Sequence, residues 1–156
     1  MSAAYLIRHA KAKNRAAWEE PDHLRPLTKR GRREAQAIAS RLRGEPLARL
    51  VSSPFVRCVQ TLEPLALALD LPIETTDVLV EGADGEAAAE LLVSLVLSGA
   101  IACCTHGDVV FEVMDVVARS GFGLDGPRAA PVASIWVLEI ADGQFAGAQY
   151  VDQPPR

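Results

Sequence analysis

Apolar and polar positions along this chain follow two periods, and the switching between them predicts a layered α/β domain. The runs Ala4-Tyr5-Leu6-Ile7, Leu50-Val51-Ser52 and Ile101-Ala102-Cys103-Cys104, together with Ile73 to Val78, read as short strands. Between them the spacing lengthens to that of a helix. Ala35, Ile38, Ala39 and Leu42 form one apolar stripe, Glu86 to Leu97 carries a second, and Val109, Val110, Val113, Val116 and Val117 mark a third over 109–118. Ser134 to Ile140 and Phe145 to Val151 read as two closing strands joined by the turn Asp142-Gly143. Strands alternating with helices predict a three-layer α/β/α fold around a mostly parallel central sheet.

Local signals place the boundaries. A polar loop with Pro21 and Pro26 spans 11–27, and Thr28 is the expected cap of the next helix, which Gly44-Glu45-Pro46 stops. Ser53-Pro54 reads as a cap and first-turn proline for the helix carrying Arg57, with a bend or break at Pro64. At 156 residues the chain is expected to form a single domain over 1–152, with 153–156 a disordered tail.

Composition narrows the function classes. No apolar stretch approaches the roughly 20 residues of a membrane span, and Met1-Ser2-Ala3-Ala4-Tyr5 lacks the features of a signal peptide, so no membrane contact is expected. Cys58, Cys103 and Cys104 fit neither a disulfide framework nor a zinc site, which points to a reducing cytoplasm and to no metal or other cofactor. The net charge of -4 conceals an asymmetry: residues 1–57 hold 13 Lys/Arg against 5 Asp/Glu, residues 58–156 hold 3 against 15. The Lys29–Arg33 cluster is either a solvated helix face or an anion-attracting rim. Nucleic acid is not expected, because aromatics are not interleaved with the basic residues.

The chemistry sits at strand ends. Arg8 and His9 follow the first strand, Arg57 falls in the opening turn of the helix after the second, and Thr105-His106-Gly107 joins a buried strand to another helix. Ligands of open α/β sheets bind at the carboxyl edge of the strands, and helix amino ends there favour an anion. Two arginines grip phosphoryl oxygens with planar paired donors. A like charge beside His9 discourages its protonation, leaving a neutral imidazole fit to attack phosphorus. Arg8 and His9 share a pocket only if strand geometry ends between them, since successive strand side chains face opposite ways.

These pieces resemble the histidine phosphatase superfamily, the phosphoglycerate-mutase-like group, and within it the small phosphohistidine phosphatases of the SixA type. The similarity is carried by Leu6-Ile7-Arg8-His9-Ala10, Arg25-Pro26-Leu27-Thr28 with Gly31, Ser52-Ser53-Pro54-Phe55-Val56-Arg57 with Gln60-Thr61-Leu62, and Thr105-His106-Gly107. The stretch from Gln60 to Leu65 is also similar to the phosphatase domain joined to some Nudix hydrolases, although none of these 156 residues is expected to form a Nudix half. Ala10 stands where many members have glycine.

The resemblance implies a phosphomonoesterase in which His9 is the nucleophile and is transiently phosphorylated, while Arg8, Arg57 and His106 bind the phosphoryl oxygens. Glu81 is the matching candidate for the proton donor, with Asp84 nearby and Asp22 as an outside choice. Asn14, Arg15 and Gly107 are candidate substrate contacts, and His23 is read as a solvated loop residue. A short first loop predicts a shallow, open pocket, which favours a phosphohistidine-containing protein as partner and argues against a mutase, whose site must exclude water. Small phosphate esters and nucleotide polyphosphates are the alternatives. From a different class come a non-catalytic phosphate-binding module and an α/β protein whose His and Arg residues are structural.

Overall fold

The computed structural model describes residues 2–121, 123–124 and 130–151. Six strands form one sheet: β1 (Ser2–Arg8), β2 (Leu47–Ser52), β3 (Ile73–Thr75), β4 (Ala100–Thr105), β5 (Ile135–Ala141) and β6 (Gln144–Val151). Their order is β3-β2-β4-β1-β5-β6. The pairings β3/β2, β2/β4 and β4/β1 are parallel, whereas β5 runs antiparallel to both β1 and β6. The helices are α1 (Lys29–Leu42), α2 (Val56–Leu69), α3 (Gly85–Leu95) and α4 (Gly107–Ala118).

Each buried strand feeds two cores because neighbouring side chains leave by opposite faces. Ile7, Leu50 and Cys104 pack with Ile38, Leu62 and Leu65 of α1 and α2. Leu6, Val51 and Cys103 pack with Leu92, Val113 and Met114 of α3 and α4. The sheet is thus covered on both sides, as the alternation of periods requires, and the antiparallel β5–β6 hairpin finishes one edge. Asp142 and Gly143 both take positive φ (53° and 76°), the backbone of a tight two-residue hairpin turn.

Thr28 caps α1, its hydroxyl accepting from Gly31 N at 3.0 Å. Three expectations need correction. Strand β3 stops at Thr75, because the Thr76 hydroxyl accepts from Val78 N and starts a 3-10 turn over Asp77–Leu79 that buries Leu79. Helix α2 runs through Pro64, so of the expected bend or break the break does not occur. It also begins at Val56 with no side-chain cap; Ser53 instead accepts from Phe55 N at 3.2 Å and turns towards the site. The tail expected over 153–156 lies outside the described residues. Among the described residues, no helix is long and apolar enough to cross a membrane.

Candidate active site

Strand β1 ends at Arg8, so His9 escapes the strand alternation and both residues line one cavity of about 820 Å³. Its wall also includes Lys11, Lys13, Asn14, Arg15, Arg25, Thr28, Glu81, Gly107 and Asp108. The strand end is pinned by Ala133, which takes a left-handed conformation (φ 63°) and donates its N–H to the carbonyls of Arg8 (3.0 Å) and His9 (3.2 Å). On the other side the Thr61 hydroxyl accepts from Ala10 N (3.0 Å) and donates to the Arg57 carbonyl (2.7 Å). One side chain thereby links the turn after His9 to the helix carrying Arg57.

The His9 imidazole has a defined tautomer. Its Nδ1 lies 2.8 Å from the Ala10 carbonyl, which can only accept, so the proton is on Nδ1 and the lone pair on Nε2. Burial is the largest influence on its ionisation. Together with the charges of His106, Arg57 and Arg8, it outweighs the Ala10 bond and holds the pKa down at about 3. The neutral imidazole expected from the sequence is therefore present, but burial contributes more to it than the adjacent guanidinium does.

His106 stands edge-on to His9, ring centroids 5.4 Å apart at 70°. Its Nε2 is 2.9 Å from the Ser53 hydroxyl, and its other face meets Phe55 at 4.8 Å. Since Ser53 Oγ already accepts from Phe55 N, its hydroxyl hydrogen is free to bond His106 Nε2. Where the Ser53 hydroxyl donates to Nε2, the proton of a neutral His106 sits on Nδ1; an imidazolium carries one there in either case.

Arg57 is wholly buried, beneath the cavity rather than on its wall. Its Nη1 donates to the Asp22 carbonyl (2.9 Å) and its Nη2 to the Asp22 carboxylate (3.0 Å), with Glu81 at 3.5 Å. Asp22 also accepts from Arg25 Nε at 2.9 Å. Burial would raise the Asp22 carboxyl, but the Arg25 bond and the Arg57 charge hold it below its ordinary value. Asp22 is a fixed counterion and a poor source of a proton.

Among the described residues, three buried nitrogens in this group, Arg8 Nε, Arg57 Nε and His106 Nδ1, have no hydrogen-bond partner. Leaving a buried donor unpaired costs about 1–3 kcal/mol, so each would gain from an acceptor brought within its reach. A second cavity of about 450 Å³, between α3, α4 and the hairpin turn, has no basic side chain on its wall among the described residues.

The remaining candidates divide. Glu81 lines the cavity, with its Oε1 accepting from Arg15 Nη2 at 2.8 Å. Asn14 and Arg15 line it as well, although the Asn14 carbonyl is used to cap Arg15–Ala17. Gly107 lies under the Arg8 guanidinium. Asp84 caps α3 and is not on the cavity wall; His23 is exposed beside Phe55. Lys29, Arg32 and Arg33 are exposed on α1 and not on this wall, a solvated helix face, while Arg30 is half-buried 3.7 Å from Glu34. Sequence reasoning gave no site role to Lys11, Lys13, Arg25, Ser53, Thr61 or Ala133. Only Arg25 carried a local signal, its i,i+3 spacing from Asp22.

Comparison with known proteins identifies the family and the fold. A family model for the histidine phosphatase superfamily (branch 1) matches residues 4–91. The 8-oxo-(d)GTP phosphatase of Mycolicibacterium smegmatis is 33% identical over 153 residues, covering 96% of this chain and 48% of that protein. Phosphohistidine phosphatase SixA of Escherichia coli is 39% identical over 70 residues, 44% of this chain and 42% of its own. The chain thus spans less than half the length of these curated relatives. A solved structure of protein histidine phosphatase SixA complexed with tungstate shares the fold, with a TM-score of 0.74 at 24% identity over 97% of this chain and 95% of that one.

Proposed function

Because the chain belongs to the histidine phosphatase superfamily (branch 1), we propose that it is a phosphatase working through a covalent phosphohistidine on His9. The observation that carries this reading is the set of unpaired buried donors, Arg8 Nε, Arg57 Nε and His106 Nδ1, gathered around an imidazole whose Nε2 lone pair is free. A phosphoryl group supplies acceptors to all three and an electrophile to the fourth.

In the first step His9 Nε2 bonds to phosphorus as the bond to the leaving oxygen, or to the leaving imidazole nitrogen of a phosphohistidine, breaks, its electron pair departing with the leaving group. The two guanidiniums and His106 meet the charge spread over the equatorial oxygens. Water then attacks phosphorus, the P–N bond breaks back onto the imidazole, and inorganic phosphate leaves. Gly107 lets Arg8 lie close, Asn14 and Arg15 contact the substrate at the mouth, and Glu81 is the acid for leaving groups that need a proton. No metal or other cofactor enters this scheme.

Two substrate classes fit. A phosphohistidine-containing protein suits a cavity rimmed by exposed side chains such as Asn14 and Arg15, and SixA of Escherichia coli carries that name. The terminal phosphate of a nucleotide suits the basic wall of Arg8, Lys11, Lys13, Arg15 and Arg25, and the Mycolicibacterium relative is named for such a substrate. The three free, buried thiols fit a reducing cytoplasm.

The test is turnover of p-nitrophenyl phosphate by the parent and by His9→Ala. Loss of at least about a thousandfold, with inorganic phosphate still bound, is expected when a covalent nucleophile is removed. Binding without turnover in the parent would mark a phosphate-binding module, and a drop in Tm without loss of turnover a structural histidine. A panel of phosphohistidine proteins, sugar phosphates and nucleotides then ranks the substrates.

A further inference from the structure

The basic side chains on the cavity wall are not equivalent. Arg25 is bound to Asp22 and to the Lys13 carbonyl, and Arg15 to Glu81. Neither the Lys11 nor the Lys13 ammonium group has an ion pair among the described residues; Lys13 Nζ lies 5.9 Å from the Trp18 ring centroid. The backbone beneath them is fixed. Lys11 N donates to buried Glu34 (2.9 Å), Thr28 N donates to the Lys11 carbonyl (2.9 Å), and Lys13 N donates to the Pro26 carbonyl (3.0 Å). Ala12 between them bridges to Leu27 in antiparallel fashion. Residues two apart on an extended segment project to the same side, about 7 Å apart, so Lys11 and Lys13, both on the cavity wall, leave the segment side by side.

We propose that Lys11 and Lys13 form a second anion subsite beside the phosphoryl cradle, and that the preferred substrate carries another phosphate on its leaving side. The substrate is then a phosphoanhydride rather than a simple ester. This deepens, and rests on, the reading of His9 as nucleophile.

The carboxylates point the same way. Asp22 is held by Arg25 and Arg57, Glu81 accepts from Arg15, and Asp108 accepts from Gly82 N at 2.8 Å. Asp22 has both oxygens bonded to guanidiniums, and a leaving group that departs without a proton makes no demand on any of the three, Glu81 serving only those that need one. A phosphate, whose second ionisation is near 6, leaves as an anion far more readily than an alkoxide. In the transfer, His9 Nε2 bonds to the terminal phosphorus while the bridging P–O bond breaks, its electron pair going to the shortened phosphate, whose growing charge the two lysines meet. Water then cleaves the P–N bond, one of its protons staying on orthophosphate and the other passing to solvent.

The test compares kcat/KM for p-nitrophenyl phosphate, inorganic pyrophosphate and ADP in the parent, in Lys11→Ala/Lys13→Ala and in Lys11→Arg/Lys13→Arg. Two exposed charge contacts are worth about tenfold together. The parent should prefer the two anhydrides. The alanine pair should lose about tenfold on both and clearly less on the aryl ester, and the arginine pair should recover most of it. The anhydride preference should also shrink with added salt. An equal loss on all three substrates, or a parent that prefers the aryl ester, overturns the subsite, as does a loss on ADP without one on pyrophosphate. Turnover that survives His9→Ala overturns the nucleophile reading instead, a result separate from lysine dependence.

Discussion

Arg8 lays its guanidinium against Gly107: a Cβ at that glycine would stand 2.9 Å from both Cζ and Nε of the arginine. The obstacle is the far end of a side chain, so the fold can accommodate a methyl group while the anion donor is displaced. Gly107→Ala should lower kcat/KM for p-nitrophenyl phosphate by about tenfold or more, with Tm nearly unchanged. At Gly31 the geometry is opposite, because the added Cβ would lie 2.0 Å from the Lys11 carbonyl, a backbone atom. Gly31→Ala should therefore destabilise by about 2 kcal/mol or more, read as a shift in the urea midpoint. Equal behaviour of the two variants contradicts this account.

A second expectation concerns acid. His9 is held neutral in the fold down to about 3, chiefly by burial, against an ordinary value of 6.5. Between those values the unfolded chain binds the extra proton and the folded one does not. Stability contributed by this group is thus fully present above pH 6.5 and declines as pH falls towards 3, by at most about 1.4 kcal/mol per pH unit. Urea midpoints measured from pH 7 to pH 5 should fall more steeply in the parent than in His9→Asn. In the folded protein the His9 ring resonances should not titrate across that interval, and a midpoint near 6.5 would refute the assignment.

Glu81 offers a third test. A nitrophenolate departs without a proton, whereas an alkoxide needs one, and general acid catalysis is worth about a hundredfold or more. Glu81→Gln should slow an alkyl phosphate at least tenfold more than the aryl ester. Equal slowing of both would remove Glu81 from the acid's role and leave it as the partner of Arg15.

What was legible in the sequence were the local patterns. Arg8, His9, Arg57 and His106 are found from where strands stop and helices start, and the structure gathers them. The second layer was not legible, because its contacts span long separations: 35 residues from Asp22 to Arg57, 53 from Ser53 to His106, 51 from Ala10 to Thr61. Ser53 read locally as a helix cap, yet its hydroxyl reaches His106. Thr76 follows the strand-forming Ile73 and Thr75, yet it ends the strand locally, its hydroxyl accepting from Val78 N two residues on.

Register carries a last consequence. Arg8 pairs with Thr105 in the centre of the sheet, and His9 N donates to the Thr105 carbonyl at 3.0 Å. Each imidazole therefore belongs to the first residue past a matched rung of two neighbouring strands, and their separation is inherited from main-chain pairing rather than from adjustable side chains. Loops at the mouth can be rebuilt to admit a different molecule while the reacting pair keeps its spacing. In such a design, specificity and reactivity are free to change on separate schedules.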